Sequence, residues 1–401
     1  MVKIMRYDLI ITGAGISGCI CALSAIKYGI DANKILIIEK SKKPGGLIPT
    51  KIDFAEDIGI SKIFTKLGIP VYHKTNKSIW ISPNGTEFEF ISKISDIWVK
   101  RGPADDSFET TIINNLKNLG VDILFKTEGI KIIDRTIKVA YNNKFVELNS
   151  MIFVDAGGFE SRLSKNIKKP SYTKIFGCGF WGENLNLEKN VPYIFFNQKF
   201  AAGSYVLANI DPKTDIGYLL FGTKNKTKIS KLKKIMNENK ILEHITKDME
   251  IYGNITGSLY TIHEVPTIFQ TDNLILVGDS ARLMDPFLHY GIQPSVISGY
   301  FAGKIIANYL NNNENINVYS KIIRDYCKKY LKRRIFYRKI FDKLGNEDID
   351  KVFLLMNKLK ENNINIDQFF EKPLLHLPSI LKVTFRNMGD VFSVIKNILK
   401  T

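Results

Sequence analysis

Three glycines near the N-terminus have the spacing that a pyrophosphate group requires. Residues 13–18 read GAGISG: Gly13 permits a tight turn, Gly15 lets the backbone approach the phosphates, and Gly18 lets the next helix pack on the preceding strand. The phosphates would lie at the helix N-terminus, where unpaired N–H groups and the helix dipole favour negative charge. The predicted nucleotide contacts in this motif are Gly13, Ala14, Gly15, Ile16, Ser17 and Gly18.

A carboxylate follows where a ribose would lie. Glu39 comes near the end of the apolar segment KILIIEK and could accept hydrogen bonds from the 2′- and 3′-hydroxyl groups. An acid at this position disfavours a 2′-phosphate. Lys40 and the loop glycines Gly45 and Gly46 are predicted to lie close to the same nucleotide. For a GxGxxG pattern alone, an ordinary glycine turn is the alternative interpretation.

The elements that position these residues follow from hydrophobic periodicity. The sequence predicts a strand over 7–12, a helix over 16–29 and a strand over 34–40, which together make a parallel βαβ unit. Short strands over 121–155 would lie against this unit. Aromatic-rich strands over 172–223 predict a second, antiparallel sheet that carries a substrate surface.

Far downstream, another apolar strand ends in a glycine and an acid. Residues 277–281 read VGDSA, and residues 285–292 read DPFLHYGI. Alone, a strand that ends in Gly-Asp is an ordinary turn. Together with GAGISG, however, the segment resembles the second FAD fingerprint of the glutathione-reductase-like flavoproteins, particularly the group that contains geranylgeranyl reductases and aromatic hydroxylases. This resemblance covers about residues 5–310 and implies FAD as the cofactor.

The resemblance implies roles for individual residues of this segment. Asp279, preceded by Gly278, would bind the ribityl chain. Gly291 would open a helix whose N-terminus faces the pyrimidine edge of the flavin, while Pro286 and Ile292 keep the family pattern. Such a helix N-terminus would stabilise the negative charge that reduced flavin carries around N1 and C2=O.

A third segment, VDAGGFESRLSK at 154–165, looks like the ADGxxSR motif of the same family. Ser161 and Arg162 fit this motif. Gly157 stands where the family usually has Asp, which puts in doubt the cofactor contact that the acid would make. A glycine turn that closes a strand is an equally good interpretation of the segment.

The sequence identifies the proton donor less clearly than it identifies the cofactor contacts. His289 and Tyr290, beside the expected flavin, could each deliver a proton, although a lone histidine is more often structural. Arg101 aligns loosely with a family arginine that precedes a flavin-proximal helix, and a charge at a helix start is the alternative. The histidines and cysteines show no compact ligand spacing, so no metal site is predicted.

The subfamily motifs are only partly present. Geranylgeranyl reductases tend to have a YxWxFP segment in the substrate domain. GSYVLANI matches it at Tyr205 alone, with Leu207 and Asn209 at the Trp and Phe positions. We predict that Tyr205 and Leu207 contact substrate. In the PxGxGI segment near the flavin, His289 replaces a glycine, and the WxWxIP segment of flavin halogenases is absent from the sequence.

The predicted fold class is α/β: an FAD-binding Rossmann-like domain with an inserted antiparallel β-sheet substrate domain and a helical C-terminal region. At 401 residues the chain is longer than a single domain usually is. The FAD-binding domain would comprise residues 1–75, 100–165 and 268–312, the substrate domain residues 76–99 and 166–267, and the basic helical region residues 313–401.

The formal net charge is +17, and basic residues concentrate between residues 321 and 343, where they alternate with aromatic and apolar ones. Two interpretations stay open: an amphipathic helix on an anionic membrane surface, or a helix packed on the FAD-binding domain with a solvated basic face. With no apolar run long enough to span a bilayer, four scattered cysteines and no signal-peptide pattern, we expect a cytoplasmic protein, peripheral on the membrane if it binds one.

The leading hypothesis is an FAD-dependent reductase that saturates carbon–carbon double bonds of isoprenoid, geranylgeranyl chains of lipids or their precursors. Its partners would be an isoprenoid or other hydrophobic substrate and an electron donor, NAD(P)H or ferredoxin. The alternatives are an FAD-dependent monooxygenase of an aromatic or polyketide-like substrate, and a basic flavoprotein that binds RNA or a membrane surface. Nucleic acid is the least favoured of these partners.

Overall fold

The computed structural model describes residues 6–46 and 50–361. These residues form two compact units. The first unit contains the described residues up to Lys74 together with Asp96–Thr173 and Tyr260–Ile335. The second contains Thr75–Ser95, Lys174–Leu259 and the described residues from Phe336 onward. Each unit is therefore assembled from separate stretches of the chain.

The strands of the described residues are, in chain order, β1 Arg6–Thr12, β2 Ile35–Ile38, β3 Lys51–Glu56, β4 His73–Ile81, β5 Glu87–Arg101, β6 Asp122–Leu124, β7 Thr127–Ile133, β8 Thr136–Tyr141, β9 Lys144–Asp155, β10 Tyr172–Glu183, β11 Tyr193–Phe195, β12 Val206–Ile210, β13 Gly217–Thr223, β14 Glu250–Ile262, β15 Gln270–Thr271 and β16 Leu274–Leu276. The α-helices are α1 Ile16–Lys27, α2 Ile60–Leu67, α3 Phe108–Asn118, α4 Ile229–Glu238, α5 Lys240–Thr246, α6 Ile292–Asn312, α7 Val318–Tyr326, α8 Lys332–Phe341 and α9 Asn346–Glu361.

The first unit is built on a mainly parallel sheet in the order β15-β16-β9-β1-β2-β6, to which the β7–β8 hairpin is added through β9. Central strand β1 pairs in parallel with β2, Leu9 opposite Ile35, and with β9, Leu9 opposite Ile152. These strands are continuous apolar runs because a parallel sheet is covered on both faces. All four residues of β2 are buried.

Helices α1 and α6 cross so closely that only glycine fits at two positions of α6. A Cβ atom at Gly299 would lie 2.4 Å from the carbonyl oxygen of Ser17, and one at Gly303 would lie 2.2 Å from that of Cys21. Since α1 follows the first glycine motif and α6 follows the DPFLHYGI segment, this contact brings the two predicted fingerprints into one place.

The second unit contains strands in the order β14-β10-β13-β12-β11-β4-β5. Neighbouring strands such as β12 and β13 are antiparallel, whereas β11 and β4 are parallel. This one parallel pair departs from the predicted antiparallel arrangement, because the chain enters β11 after a long excursion instead of a hairpin turn. Helices α4 and α5 cover one face, burying Leu232 and Leu242 against a core that includes Phe221.

The predicted domain segments stay a prediction, and the boundaries of the two units differ most from them near the C-terminus. Residues 313–335, which the sequence assigned to a separate basic region, belong to the first unit, and the unit boundary falls inside α8. The predicted basic helix is also interrupted, since Cys327–Leu331 forms a π-helical turn between α7 and α8.

Two arginines of this basic segment are ion-paired. Within the first unit, Arg334 pairs with Glu56 and with Asp285. Within the second, Arg338 is fully buried and pairs with Asp342. These two side chains therefore stabilise the folded units and do not belong to a solvated basic face.

Candidate functional site

The turn of the first glycine motif is as tight as the sequence predicts. Gly13 has φ +104°, and a Cβ atom there would lie 2.3 Å from the carbonyl oxygen of Ala156. A Cβ atom at Gly18 would lie 2.1 Å from the carbonyl oxygen of Gly13. At Gly15, by contrast, no atom of the described chain lies within 4 Å of that position. Space is therefore open where a phosphate would approach the backbone.

The N-terminus of α1 points an uncompensated dipole at this space. The helix begins at Ile16 after Gly15, has no side-chain cap and carries no acidic residue in its first turn. Ile16, Ser17 and Gly18 are buried, and they would offer backbone N–H groups to the nucleotide. Ala14 is buried as well, and its N–H already donates to Glu39 at 2.8 Å. The arrangement can hold a pyrophosphate.

Glu39 connects the ends of β1 and β2. Besides Ala14 N–H, its carboxylate accepts from Ser41 N–H at 2.7 Å. Each oxygen keeps lone pairs for ribose hydroxyl groups, because a carboxylate oxygen accepts more than one hydrogen bond. Lys40 is exposed beside it.

The loop after β2 lies against the end of β5. Gly45 has φ +60°, and a Cβ atom there would lie 2.3 Å from the carbonyl oxygen of Gly102. Gly46 closes the turn with a hydrogen bond from its N–H to Lys43 O at 3.1 Å. Arg101, the residue before Gly102, is thereby placed next to the predicted nucleotide loop.

Arg101 is held by two carboxylates. Its Nε donates to Glu109 at 2.5 Å, and Nη1 lies 3.5 Å from Asp53. Glu109 is completely buried in the first turn of α3, so this ion pair fixes the arginine. The pKa of the guanidinium is raised, despite the opposing effect of its burial, chiefly by Glu109 and also by Asp53 and Asp279. Arg101 therefore contributes positive charge near Asp279.

Asp279 and Gly291 lie together, as the family resemblance implies. Gly278 has φ +56°, and a Cβ atom there would contact Ser17 Oγ at 2.8 Å. A Cβ atom at Gly291 would lie 3.7 Å from Asp279 Oδ1. That oxygen is buried and has no hydrogen-bond partner among the described residues. Burial raises the pKa of the Asp279 carboxyl to about 6, although Arg101 and Arg282 oppose the increase.

Gly157 takes part in the same site through hydrogen bonds. Its N–H donates to Asp155 Oδ1 at 2.9 Å, and the N–H of Gly158 donates to Ser280 Oγ at 3.0 Å. Ser280 Oγ in turn lies 3.1 Å from Asp155 Oδ1. Asp155, which ends β9, therefore joins the ADGxxSR-like segment to VGDSA.

The loop before α6 is held by Asp285. Asp285 Oδ1 accepts from the N–H groups of Phe287 and Leu288 at 2.6 and 3.1 Å, and its own N–H donates to Tyr290 O at 3.0 Å. Arg334 Nε lies 3.2 Å from Asp285 Oδ2. Pro286 is buried inside this loop.

His289 occupies a glycine conformation. Its φ is +57°, in the left-handed region, which explains why the family pattern has glycine there. The ring Nε2 lies 2.7 Å from Thr261 Oγ1, so strand β14 fixes the imidazole. The Tyr290 ring packs edge-on against Phe54 with centroids 5.6 Å apart. A catalytic role stays a prediction for both residues.

Helix α6 begins at Ile292 after Gly291, with no side-chain cap and no acid in its first turn. Ile292 is buried. A negative charge on reduced flavin would be stabilised at this N-terminus in the same way as a phosphate at α1.

The chain is similar to known proteins in sequence and in fold. No family model matches the sequence. The chain is 24% identical over 396 residues to digeranylgeranylglycerophospholipid reductase 1 of Methanococcoides burtonii, with 91% of each chain covered. Its structure is similar to that of a geranylgeranyl bacteriochlorophyll reductase-like protein of Thermoplasma acidophilum, with a TM-score of 0.77, 18% identity and coverage of 94% of this chain and 98% of that one. The fold is geranylgeranyl reductase-like.

The predicted fold class is thus confirmed. The reductase-like fold is also shared with p-nitrophenol 4-monooxygenase of Pseudomonas putida, at a TM-score of 0.70 and 11% identity, covering 94% of this chain and 98% of that one. Fold similarity at these identities does not distinguish reduction from hydroxylation.

FAD fits the residues of this reductase-like fold. The open space at Gly15 and the uncapped N-terminus of α1 match the phosphates. Asp279 Oδ1, which has no hydrogen-bond partner among the described residues, matches the ribityl hydroxyls, and the carboxylate of Glu39 matches the adenosine ribose. The uncapped N-terminus of α6 matches the pyrimidine ring. The predicted cofactor contacts all lie in the first unit.

The predicted substrate residues lie elsewhere. Tyr205 precedes β12 and Leu207 is inside it, so both belong to the second unit. Tyr205 contacts the Phe196 ring with centroids 6.2 Å apart. Leu207 is half-buried and pairs across the sheet with Leu220. Their contact with substrate stays a prediction.

Sequence reasoning missed Arg282 and the aromatic side chains around it. Arg282 is 4% exposed, has φ +62° and stacks its guanidinium over Phe159 at 4.8 Å. Burial lowers the pKa of this guanidinium, although Asp155 and Asp279 oppose the decrease. A small cavity beside it is lined by Phe159, Tyr260, Ile262, Asp279, Arg282 and Met284. In the sequence, the arginine that directly follows VGDSA is the signal that could have identified this residue.

No helix in the described part of the chain is long and apolar enough to cross a bilayer. Within residues 6–46 and 50–361, no group of His, Cys, Asp and Glu side chains could hold a metal ion.

Proposed function

We propose that this protein is an FAD-dependent oxidoreductase that saturates carbon–carbon double bonds in the isoprenoid chains of lipids or lipid precursors. The observation that carries the proposal is the coincidence of an FAD-compatible site with similarity to digeranylgeranylglycerophospholipid reductase 1 over 91% of both chains. The aromatic second sheet supports it, because a long apolar chain needs an apolar surface.

Reduced FAD would supply hydride to the alkene. Glu39 would bind the adenosine ribose, the α1 N-terminus would hold the pyrophosphate, and Asp279 would accept hydrogen bonds from the ribityl chain. These contacts orient the cofactor.

The proton that completes saturation needs a donor close to the alkene. We propose His289 or Tyr290, since both follow Asp285 in the loop that leads to α6. His289 Nε2 lies within hydrogen-bond distance of Thr261 Oγ1. The ring could therefore donate a proton from Nδ1 in two forms: the neutral tautomer in which Nε2 accepts from the Thr261 hydroxyl, or the protonated imidazolium. Tyr290 would need a base or water to replace its proton.

The electron donor is proposed to be NAD(P)H or a ferredoxin, and contact with an anionic membrane is proposed for the exposed part of the basic segment. Lys328, Lys329 and Lys332 are exposed in the part of this segment that belongs to the first unit. Such side chains suit the interface between lipid headgroups and acyl chains.

The test uses the full chain loaded with FAD. The flavin is reduced without oxygen and mixed with a geranylgeranyl glycerophospholipid. The proposal predicts reappearance of the oxidised-flavin absorbance together with a lipid that has gained two hydrogen atoms for each double bond. A flavin that stays reduced, with lipid of unchanged mass, would contradict the proposal.

The second candidate is an aromatic monooxygenase, favoured by the similarity of fold to p-nitrophenol 4-monooxygenase. It predicts oxygen consumption that depends on both NAD(P)H and a phenolic substrate. Reduction of the lipid in the absence of oxygen distinguishes the two candidates, because hydroxylation requires oxygen as a co-reactant.

A further inference from the structure

One buried amide in the second unit has no hydrogen-bond partner among the described residues. Asn209 lies on β12, opposite Tyr218 of β13. Its side chain is on the face opposite Ala208 and Ile210, because side chains alternate along a strand and those two residues pack in the core beneath α4 and α5. Asn209 therefore lies on the face of the sheet that does not pack against these helices.

The surroundings of Asn209 on this face are mainly apolar. Leu207 is two residues before it on the same strand, and Leu220 lies opposite Leu207 on β13. Trp181 of β10 lies opposite Tyr218. An amide is an unusual choice in such a position, since strands with one apolar face select β-branched and aromatic residues.

The amide is buried and unsatisfied. Asn209 is 1% exposed, and among the described residues neither Oδ1 nor Nδ2 has a hydrogen-bond partner. Buried polar groups in native structures nearly always have hydrogen-bond partners. In the protein without a ligand, two polar atoms of one side chain without partners therefore lower the stability of the fold. A partner from outside the chain would resolve this deficit.

A second buried asparagine shows the usual arrangement. Asn197, also in the second unit, is 7% exposed. Its Oδ1 accepts from the Lys199 N–H at 3.0 Å and from Asn346 Nδ2 at 3.2 Å. Asn197 has a structural role that the chain satisfies by itself, whereas Asn209 does not.

The two free groups define what could bind. Oδ1 accepts hydrogen bonds and Nδ2 donates them, so the complementary group must both donate and accept. A hydroxyl does so through one atom, whereas an ether oxygen only accepts and a hydrocarbon does neither. Resting on the proposed isoprenoid reduction, we propose that Asn209 recognises a hydroxyl group on the substrate, so that the preferred isoprenoid is an alcohol or carries a free glycerol hydroxyl.

The experiment compares geranylgeraniol with its methyl ether, in which a methyl group replaces the hydrogen that the hydroxyl would donate. Dissociation constants are measured by tryptophan fluorescence in FAD-loaded protein, and kcat/KM is measured by reoxidation of reduced flavin. The wild-type protein should prefer the alcohol by roughly tenfold in both, the size expected for one hydrogen bond to a buried partner. Asn209→Leu should abolish this preference without lowering the melting temperature, because it removes a buried amide that the chain leaves without partners.

Asn197→Leu is the matched control, because it replaces a buried asparagine whose hydrogen bonds the chain provides. It should lower the melting temperature and keep the preference for the alcohol. If Asn209→Leu does not fold, Asn209→Val, with a residue suited to strands, takes its place.

The outcomes separate the two proposals. Equal binding of alcohol and ether by the wild-type protein, or an unchanged preference in the Asn209 variants, would overturn the hydroxyl assignment, and a buried water would then be the partner of the amide. Binding that discriminates while neither probe reoxidises the flavin would keep the assignment and refute the proposed reduction.

Discussion

The unpartnered carboxylate oxygen of Asp279 predicts a pH-dependent affinity for FAD. Burial raises the pKa of this carboxyl to about 6 in the cofactor-free protein. A ribityl hydroxyl that donates to Oδ1 prefers the ionised acid, so proton binding and FAD binding compete. Below about pH 6 the dissociation constant should therefore rise, by about tenfold in total once the carboxyl is fully protonated, and above about pH 6 the constant should be flat.

The matching substitution is Asp279→Asn, which keeps an acceptor oxygen and removes the charge. Hydrogen bonds to charged groups contribute about 1.5–3 kcal/mol and those between neutral groups about 1 kcal/mol, so the variant should bind FAD roughly tenfold more weakly at about pH 8. At about pH 5 the wild-type carboxyl is mostly protonated, so the two proteins should have nearly equal affinity.

The same substitution should stabilise the cofactor-free protein. A carboxyl pKa raised from 3.8 to about 6 means that the folded state loses stability as pH rises through this interval, by up to about 3 kcal/mol above it. Asp279→Asn removes this loss, so its cofactor-free melting temperature should exceed that of the wild type at about pH 8 but not at about pH 4.

FAD fluorescence titrations across this pH range provide the measurement, with the exposed Asp272→Asn as the control. A wild-type dissociation constant that does not change between about pH 5 and 8 would refute the reasoning. So would a variant that keeps the wild-type slope, because another group would then be the one that titrates.

Three other substitutions test the packing that positions the site. Gly299→Ala should destabilise the protein by about 1–3 kcal/mol and weaken FAD retention, whereas Gly257→Ala, with no atom of the described chain near the new methyl group, should be nearly neutral in thermal melting. Arg334→Met leaves two partly buried carboxylates without their cation and should destabilise by roughly 2–3 kcal/mol in denaturant unfolding; the loss should be smaller at low pH, because burial raises the pKa of the Asp285 carboxyl and protonation removes its charge. Ser107→Ala removes the N-cap of α3, whose Oγ accepts from Thr110 N–H, and should lower stability by about 1 kcal/mol; an unchanged unfolding midpoint would show that the cap is dispensable.

The nucleotide-binding half could be predicted from the sequence because local rules determine it. Gly13 must adopt a positive φ, and Glu39 must follow a buried strand, so residue type and spacing specify both positions. The fold class followed from the order of these segments.

The remaining features depend on contacts between distant segments. No periodicity reveals that Arg334 would pair with Glu56 and Asp285, or that Asp155 would connect Gly157 to Ser280. The parallel pairing of β11 with β4 was missed for the same reason, since register between strands far apart in sequence has no local signature.

The crossing of α1 and α6 also determines when the cofactor site can form during synthesis. Helix α1 ends at Lys27, but its glycine-bearing partner is complete only at Asn312. At about 5–20 residues per second, translation leaves α1 without this partner for roughly 15–60 seconds. During that interval the side of α1 that later packs on α6 lacks its partner, so the growing chain is more prone to aggregate until the second fingerprint has emerged.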